Sequence, residues 1–315
     1  MKTRQAVIVE LRRFEIREAD VAPANSQVLI KMAGCGMCTS EMWAWTGINT
    51  TYPAVMGHEA HGVVTELGPG VERVKVGDRV TGLYNKAYAD YYVQPEDQTM
   101  VIRPDFEQTH VFGEPLYCVH NVVRAAHPII GDCVAVVGVG PMGQWAVQAL
   151  AGRTLHSLVA VDIEDNKLEA ARWSGATHVV NSSTENAAER VAAITGGRMA
   201  DVVVEGTGTQ AGVETATRLL RQGHPRLVIM SSFKGPIEVD ILRLCGVAAE
   251  VIHAHPGIRW NKPDGVRRTE VLINNGVFKT DHLVTHEYPL EGIQTAFEQF
   301  ECNRPAGYIK GMIVP

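Results

Sequence analysis

The segment Val134-Ala135-Val136-Val137-Gly138-Val139-Gly140-Pro141-Met142-Gly143 constrains this chain more than any other stretch of it. Four apolar residues with no polar alternation read as a strand buried on both faces, which is the habit of a parallel sheet. A Gly-x-Gly-x-x-Gly turn follows at once, and Pro141 suits the first position of a helix. Gly138 permits the turn, Gly140 lets the backbone approach a pyrophosphate, and Gly143 lets helix and strand pack closely. The helix opening at Pro141 and Met142 would turn unpaired N–H groups and a positive dipole end toward the phosphates. An α/β, doubly wound parallel sheet of Rossmann type is expected around this segment.

The residues that follow keep the pattern. Strands are expected at 133–137, 158–162, 177–180, 201–204 and 226–231, alternating with helices at 141–151, 165–173, 184–195 and 210–221. The strand Leu158-Val159-Ala160-Val161-Asp162 ends in a carboxylate where a ribose-binding acid belongs. Asp162 could accept from both ribose hydroxyls and would repel a 2′-phosphate. Lys167 lies five residues on and no Arg immediately follows Asp162, so NAD is favoured over NADP. Glu205-Gly206-Thr207-Gly208 and Met230-Ser231-Ser232 also fall at strand C-terminal ends, which makes Thr207 a candidate cofactor neighbour. A Rossmann-like sheet that binds another nucleotide, or none, is the alternative reading.

The first third has a different texture. Ala6–Glu10, Gln27–Met32, Gly62–Leu67 and Gly77–Thr81 are short β-rich runs broken by Gly, Pro and Asp, as in a small antiparallel domain. Glu114-Pro115-Leu116 leads into a helical pattern over Tyr117–Ala126; further helices are expected near 265–275 and 290–300, with a closing strand at Ile309–Val314. The chain has 315 residues, a formal charge of -6, and 45% hydrophobic against 20% charged residues. Two domains with separate cores fit that length, and nothing favours nucleic acid or an anionic membrane as partner. Met1–Gln5 opens directly into a strand with no apolar leader, and six scattered cysteines make no disulfide framework, so a cytoplasmic location is expected.

Gly34-Cys35-Gly36-Met37-Cys38-Thr39-Ser40-Glu41 and Pro53-Ala54-Val55-Met56-Gly57-His58-Glu59 bring a thiolate, an imidazole and a carboxylate within one short span. Such a set suits zinc in a catalytic role, where three protein ligands leave a fourth position open. Cys35-x-x-Cys38 could instead be a redox pair or half of a structural zinc knuckle. No second Cys-x-x-Cys is present to complete a knuckle. Glu114 could be a solvated acid before a helix, and His61, His120, His253, His255 and His286 read as packing or surface residues.

Cys38-x-Ser40-Glu41, Gly57-His58-Glu59-x-x-Gly62, Gly77-Asp78-Arg79-Val80, Glu114-Pro115-Leu116 and the glycine turn together resemble the zinc-dependent medium-chain dehydrogenase/reductase family, in its alcohol and polyol dehydrogenase branch. The resemblance implies a β-rich GroES-like barrel carrying the metal, formed by 1–116 and 255–315, and a Rossmann NAD-binding domain at 117–254. It implies Cys38, His58 and Glu114 as zinc ligands, with Glu59 an acid that can approach the metal. Ser40 would relay the substrate proton, and Lys310 would contact the pyrophosphate. It further implies hydride transfer between NAD(H) and an alcohol or ketone, and a homodimer or homotetramer, with Pro236–Asp240 a candidate edge strand.

Three departures from the family pattern stand out. Glu41 occupies a position usually held by Asp, and Trp43 one that commonly carries His, which removes the usual outer proton relay. Only Thr81–Ala87 separate Val80 from Tyr88, where relatives often insert a four-cysteine zinc lobe, so one catalytic zinc and no structural zinc is expected. Trp43, Trp45, Tyr52, Tyr84 and Cys118 are candidates for a substrate wall. The rival readings are a zinc-free reductase of the same family and a non-catalytic NAD-binding or sensing protein on the same fold.

Overall fold

The computed structural model describes residues 1–48, 50–83, 86–254 and 261–315; Tyr84 and His255 lie outside the described residues. The chain separates into two compact units, Met1–Pro115 with Asn261–Pro315, and Leu116–Trp260.

In the second unit, six parallel strands run in the order His178–Asn181, Ser157–Asp162, Cys133–Val137, Val202–Glu205, Arg226–Ile229 and Glu250–His253. Every residue of Cys133–Val137 is buried, as its unbroken apolar run demands for a central strand covered on both faces. The chain builds outward on one side of this strand and then crosses to the other. The switch point therefore falls where Val137 and Glu205 end side by side, with Gly206 N–H donating to Val137 O at 2.8 Å. Crevices at such points are where open α/β sheets take ligands.

The connecting helices match the sequence periodicity, and two of them carry side-chain caps at their N-termini. Asn186 accepts from the Ala188 and Glu189 amides to start Ala187–Ile194, and Thr209 accepts from Gly212 to start Gln210–Leu219. Pro236–Asp240 forms no strand, which corrects the sequence expectation. Both amide ends of Gln210 take the Glu238 N–H and C=O at 2.9 and 3.0 Å, and Asp240 caps the helix Ile241–Val247. The edge on that side is Glu250–His253 instead.

The first unit is β-rich. Seven strands form one sheet: Val284–Pro289, Lys310–Val314, Gln27–Gly36, Glu59–Leu67, Arg79–Gly82 and Thr99–Ile102 in order, with Tyr91–Pro95 also paired to Gln27–Gly36. Lys2–Glu10, Arg13–Asp20 and Ala54–Val55 make a smaller sheet. The core gathers Phe14, Trp45 and Phe297, whose ring centroids lie 4.9–5.7 Å apart. Aromatic pairs at this spacing add about 0.5–1.5 kcal/mol beyond the area they bury. Trp45 is fully buried and donates its indole N–H to Glu301 at 2.6 Å, so it is a core residue and not a substrate wall.

Two strands are longer than the sequence alone suggests, and this matters for the site. Gln27–Gly36 runs on through Cys35, and Glu59–Leu67 begins at Glu59, with Gly36 opposite Glu59. The helix after Thr99–Ile102 starts early, at Gly113, so Glu114 lies in its first turn. Pro115 is tolerated there because first-turn N–H groups have no partner within the helix. No helix among the described residues is long and apolar enough to cross a membrane.

Candidate metal centre and dinucleotide cradle

Cys38 precedes a single turn of 3₁₀ helix, Thr39–Glu41, at the end of the strand Gln27–Gly36. His58 and Glu59 sit where the strand Glu59–Leu67 starts beside it. This pairing brings one donor atom each from Cys38, His58 and Glu59 to within 4.8 Å of one another. A soft thiolate, an imidazole and a hard carboxylate at that separation form a zinc-type donor set. Cys35 is wholly buried in the core, where burial pushes its thiol pKa up.

Glu41 organises the set. Its Oε1 accepts from the Gly57 amide at 2.9 Å and faces His58 Nδ1 at 3.1 Å; its Oε2 accepts from the Cys38 amide at 3.3 Å and from the Tyr88 hydroxyl. Burial opposes a charge on His58, but the Glu41 carboxylate and the Cys38 sulfur outweigh it and hold the imidazole pKa well above its usual value. With Nδ1 turned to Glu41, the other ring nitrogen is the one left for a metal. Ser40 donates its hydroxyl to Cys38 Sγ at 3.2 Å.

Glu59 accepts a short hydrogen bond from Lys310, which also donates to Met37 O at 3.3 Å. Both side chains are 3% exposed. Burial raises the Glu59 pKa, yet the ammonium beside it brings the carboxyl below its usual range. Lys310 therefore holds its ammonium on the acid of the metal group. Gly36 leaves room for this pair, since a Cβ there would lie 2.7 Å from Lys310 Cε. Glu114 is buried and is not among the converging donors. Its helix is tied close to Glu59, because Thr81 Oγ1 accepts from Gly113 N–H and donates to Ala60 O, both at 2.7 Å. Tyr52 packs partly against the core with its hydroxyl on Ala44 O; Trp43 is half-buried, and Cys118 is buried in the other unit.

The glycine turn of the second unit behaves as its residues require. Gly138 adopts φ +87°, and a Cβ there would lie 2.7 Å from Thr207 Cγ2 and 2.9 Å from two backbone atoms. Gly140 is different: a Cβ there would meet nothing within 4 Å. Together with the helix Pro141–Leu150, which has no side-chain cap at its N-terminus, that open space is a cradle shaped for a phosphate. Asp162 accepts from Val139 N–H at 2.8 Å, which ties the acid to the turn. Lys167 pairs with Glu164.

Two residues of this region were not singled out from sequence for their roles. Gln144 is fully buried, donates to Val139 O and Lys167 O at 2.7 and 2.8 Å, and accepts from Ser174. Glu205 is fully buried and accepts from the Thr207 amide at 2.7 Å, the Thr207 hydroxyl at 2.6 Å and the Ser231 hydroxyl. It locks the end of one strand to the next. The signal for both was a polar residue inside an otherwise apolar segment. Tyr88 was missed for a different reason, since an aromatic residue in a β-rich stretch reads as core.

A thiolate–imidazole–carboxylate group in one unit and a dinucleotide cradle in the other are the working parts of a metal-using dehydrogenase. Comparison with known proteins agrees: the alcohol dehydrogenase GroES-like domain matches residues 24–114 and the zinc-binding dehydrogenase domain matches residues 141–255. The chain belongs to the zinc-dependent medium-chain dehydrogenase/reductase family and is an enzyme. Sorbitol dehydrogenase of Bacillus subtilis (strain 168) is 28% identical, the match covering 93% of this chain and 92% of the relative. L-threonine 3-dehydrogenase of Pyrococcus abyssi is 26% identical over 96% of this chain and 94% of the relative. In fold, the crystal structure of 2R,3R-butanediol dehydrogenase from Bacillus subtilis superposes with a TM-score of 0.84 at 23% identity, covering 99% of each chain.

Proposed function

We propose that this enzyme transfers a hydride between NAD(H) and a small alcohol or its ketone, the alcohol being a polyol, cyclitol, amino alcohol or secondary alcohol. The observation that carries the reading is the convergence of Cys38, His58 and Glu59 donor atoms within 4.8 Å. Those three residues would hold one zinc per chain, with Glu59 rather than Glu114 as the third ligand. Bound there, zinc supplies Lewis acidity, which for a coordinated water lowers the pKa to about 7.

The protein's own groups do the rest. Glu41 fixes the His58 ring through Nδ1. Lys310 restrains the Glu59 carboxylate and balances its charge. Ser40, hydrogen-bonded to Cys38 Sγ, would accept the proton that leaves the substrate hydroxyl while releasing its own hydroxyl proton outward to water. The absence of the four-cysteine insert supports one zinc and no structural site.

On the cofactor, the Gly140 cradle receives the pyrophosphate and Asp162 takes the adenosine ribose, which favours NAD over NADP. Lys167 and Thr207 lie at the ends of the flanking elements and are second-rank contacts. We further infer a cytoplasmic homodimer or homotetramer.

The test is reduction of NAD, followed by absorbance, across a panel of polyols, inositols, amino alcohols and secondary alcohols. Turnover should vanish on zinc removal and return on zinc addition. Activity that survives complete zinc removal would overturn the reading in favour of a zinc-free reductase. Silence across the panel, with zinc and NAD both bound, would favour a non-catalytic NAD-binding protein.

A further inference from the structure

Glu41 has four hydrogen-bonding neighbours, and three of them belong to the segment that it serves: the Cys38 amide, the Gly57 amide and the His58 ring. The fourth is the hydroxyl of Tyr88, from a stretch far along the chain. Tyr88 is fully buried, with its ring edge-on to Phe297 at a centroid distance of 6.0 Å. Its hydroxyl also lies 3.3 Å from Gly36 O, but a hydroxyl has one proton, and the charged acceptor makes the stronger bond.

The backbone around Tyr88 is fixed as firmly as the ring. Its amide donates to Met56 O at 3.1 Å, and the Ala87 amide donates to Gly57 O at 2.9 Å. Gly57 has φ +95°, and a Cβ there would sit 2.6 Å from Tyr88 N. The chain just before His58 is thus held against the chain at Tyr88 with no space for a side chain between them. The extra methylene of Glu41, where an aspartate is usual, adds reach toward this hydroxyl.

We propose that Tyr88 is a positioning residue of the metal centre: its hydroxyl fixes the Glu41 carboxylate, and Glu41 in turn aims the His58 ring and the Cys38 backbone. The proposal rests on the reading of Cys38, His58 and Glu59 as zinc ligands. Without the hydroxyl, the buried Glu41 Oε2 keeps only the 3.3 Å bond from the Cys38 amide. The carboxylate can then rotate, and His58 loses a fixed acceptor. Groups behind the ligands characteristically change metal affinity by about 10–100-fold; Tyr88 acts one bond further out, so about tenfold is expected.

The experiment is zinc titration against a chromophoric chelator for the wild type, Tyr88→Phe, Glu41→Gln and the double variant. Tyr88→Phe should weaken zinc binding about tenfold, whereas adding it to Glu41→Gln should change binding less than about twofold. NADH binding, read by fluorescence, should be equal in all four and verifies folding. Glu41→Asp gives a second background, its shorter side chain falling short of Tyr88, with the same loss of coupling expected. Unchanged affinity in Tyr88→Phe, or an equal drop in every background, overturns the proposal while leaving the zinc reading intact. A wild-type protein that takes up no zinc overturns that reading instead.

Discussion

Lys310 and Glu59 form an ion pair in which both side chains are 3% exposed, immediately behind Cys38 and His58. A buried pair of this kind contributes little net stability, because desolvation offsets the attraction, but breaking it strands a charge. Lys310→Met should therefore destabilise the zinc-free protein by about 3–5 kcal/mol. Zinc would compensate the stranded carboxylate, so the loss should shrink when the metal is bound. Thermal unfolding with and without zinc measures both, and an equal loss in the two states would separate Lys310 from the metal site.

The ligand set yields the second prediction. Cys38→Ser or His58→Ala should lower kcat/KM by at least about 10³-fold, roughly 4 kcal/mol of barrier, and lower bound zinc. With the cofactor assigned to the other unit as proposed above, NADH affinity should stay near the wild-type value. Near-normal turnover in either variant would remove these residues from the chemistry.

Two glycines of one motif should fail in different ways. Gly138→Ala puts a side chain at φ +87° and against Thr207, and should cost about 1–3 kcal/mol of stability. Gly140→Ala meets no protein atom within 4 Å. It should change stability by no more than about 0.5 kcal/mol, yet weaken NADH binding by about tenfold or more through the blocked phosphate approach. Identical phenotypes for the two variants would contradict the cradle.

Asp162→Gly should relax the preference for NAD over NADP, read as the ratio of kcat/KM values for the two cofactors. Because Asp162 also accepts from Val139 N–H, a modest stability loss of about 1 kcal/mol should accompany it. An unchanged ratio would take Asp162 out of the ribose site.

Acid stability follows from two histidines that the fold keeps neutral. Burial lowers the His61 pKa to about 3, and burial with Lys279 nearby lowers that of His282 to about 4. Above the ordinary imidazole value of 6.5 neither folded nor unfolded chain binds these protons, so stability is unaffected. As pH falls from 6.5 toward 3 the unfolded chain takes up protons that the folded one refuses, and stability is lost. His61 Nε2 has no hydrogen-bond partner among the described residues, so His61→Phe forfeits no bond to them at that atom and should flatten part of the slope. Denaturant midpoints between pH 7 and pH 4 test this; an unaltered slope in the variant would exclude His61 as a source.

The sequence carried the alternating strands and helices of the second unit as far as Arg226–Ile229 to within a few residues, because the central strands are apolar throughout and the helices are periodic; the helix Ile241–Val247 and the edge strand Glu250–His253, whose ends are polar, were not legible. It also carried Cys38, His58 and Glu59, whose chemistry is unusual enough to be noticed together. What it could not carry were partners set by tertiary approach. The pairing of Lys310 with Glu59 arises only because the strand Lys310–Val314 lies beside Gln27–Gly36, which in turn pairs with the strand from Glu59. Trp45 looked like a pocket wall because it is close to Cys38 in sequence, but the short helix Met42–Trp45 turns it into the core. Pro236–Asp240 has the β-branched look of a strand, and the amide of Gln210 takes the backbone groups at Glu238 that a neighbouring strand would have used.

Glu59 and Lys310 stand 251 residues apart in the chain, and the whole nucleotide unit is encoded between them. During synthesis the parallel sheet leaves the ribosome and can fold while Glu59 still awaits its cation. The metal centre is consequently among the last features to acquire its charge balance. A chain halted shortly before Lys310 would carry every residue of the second unit and yet leave the Glu59 carboxylate without its cation.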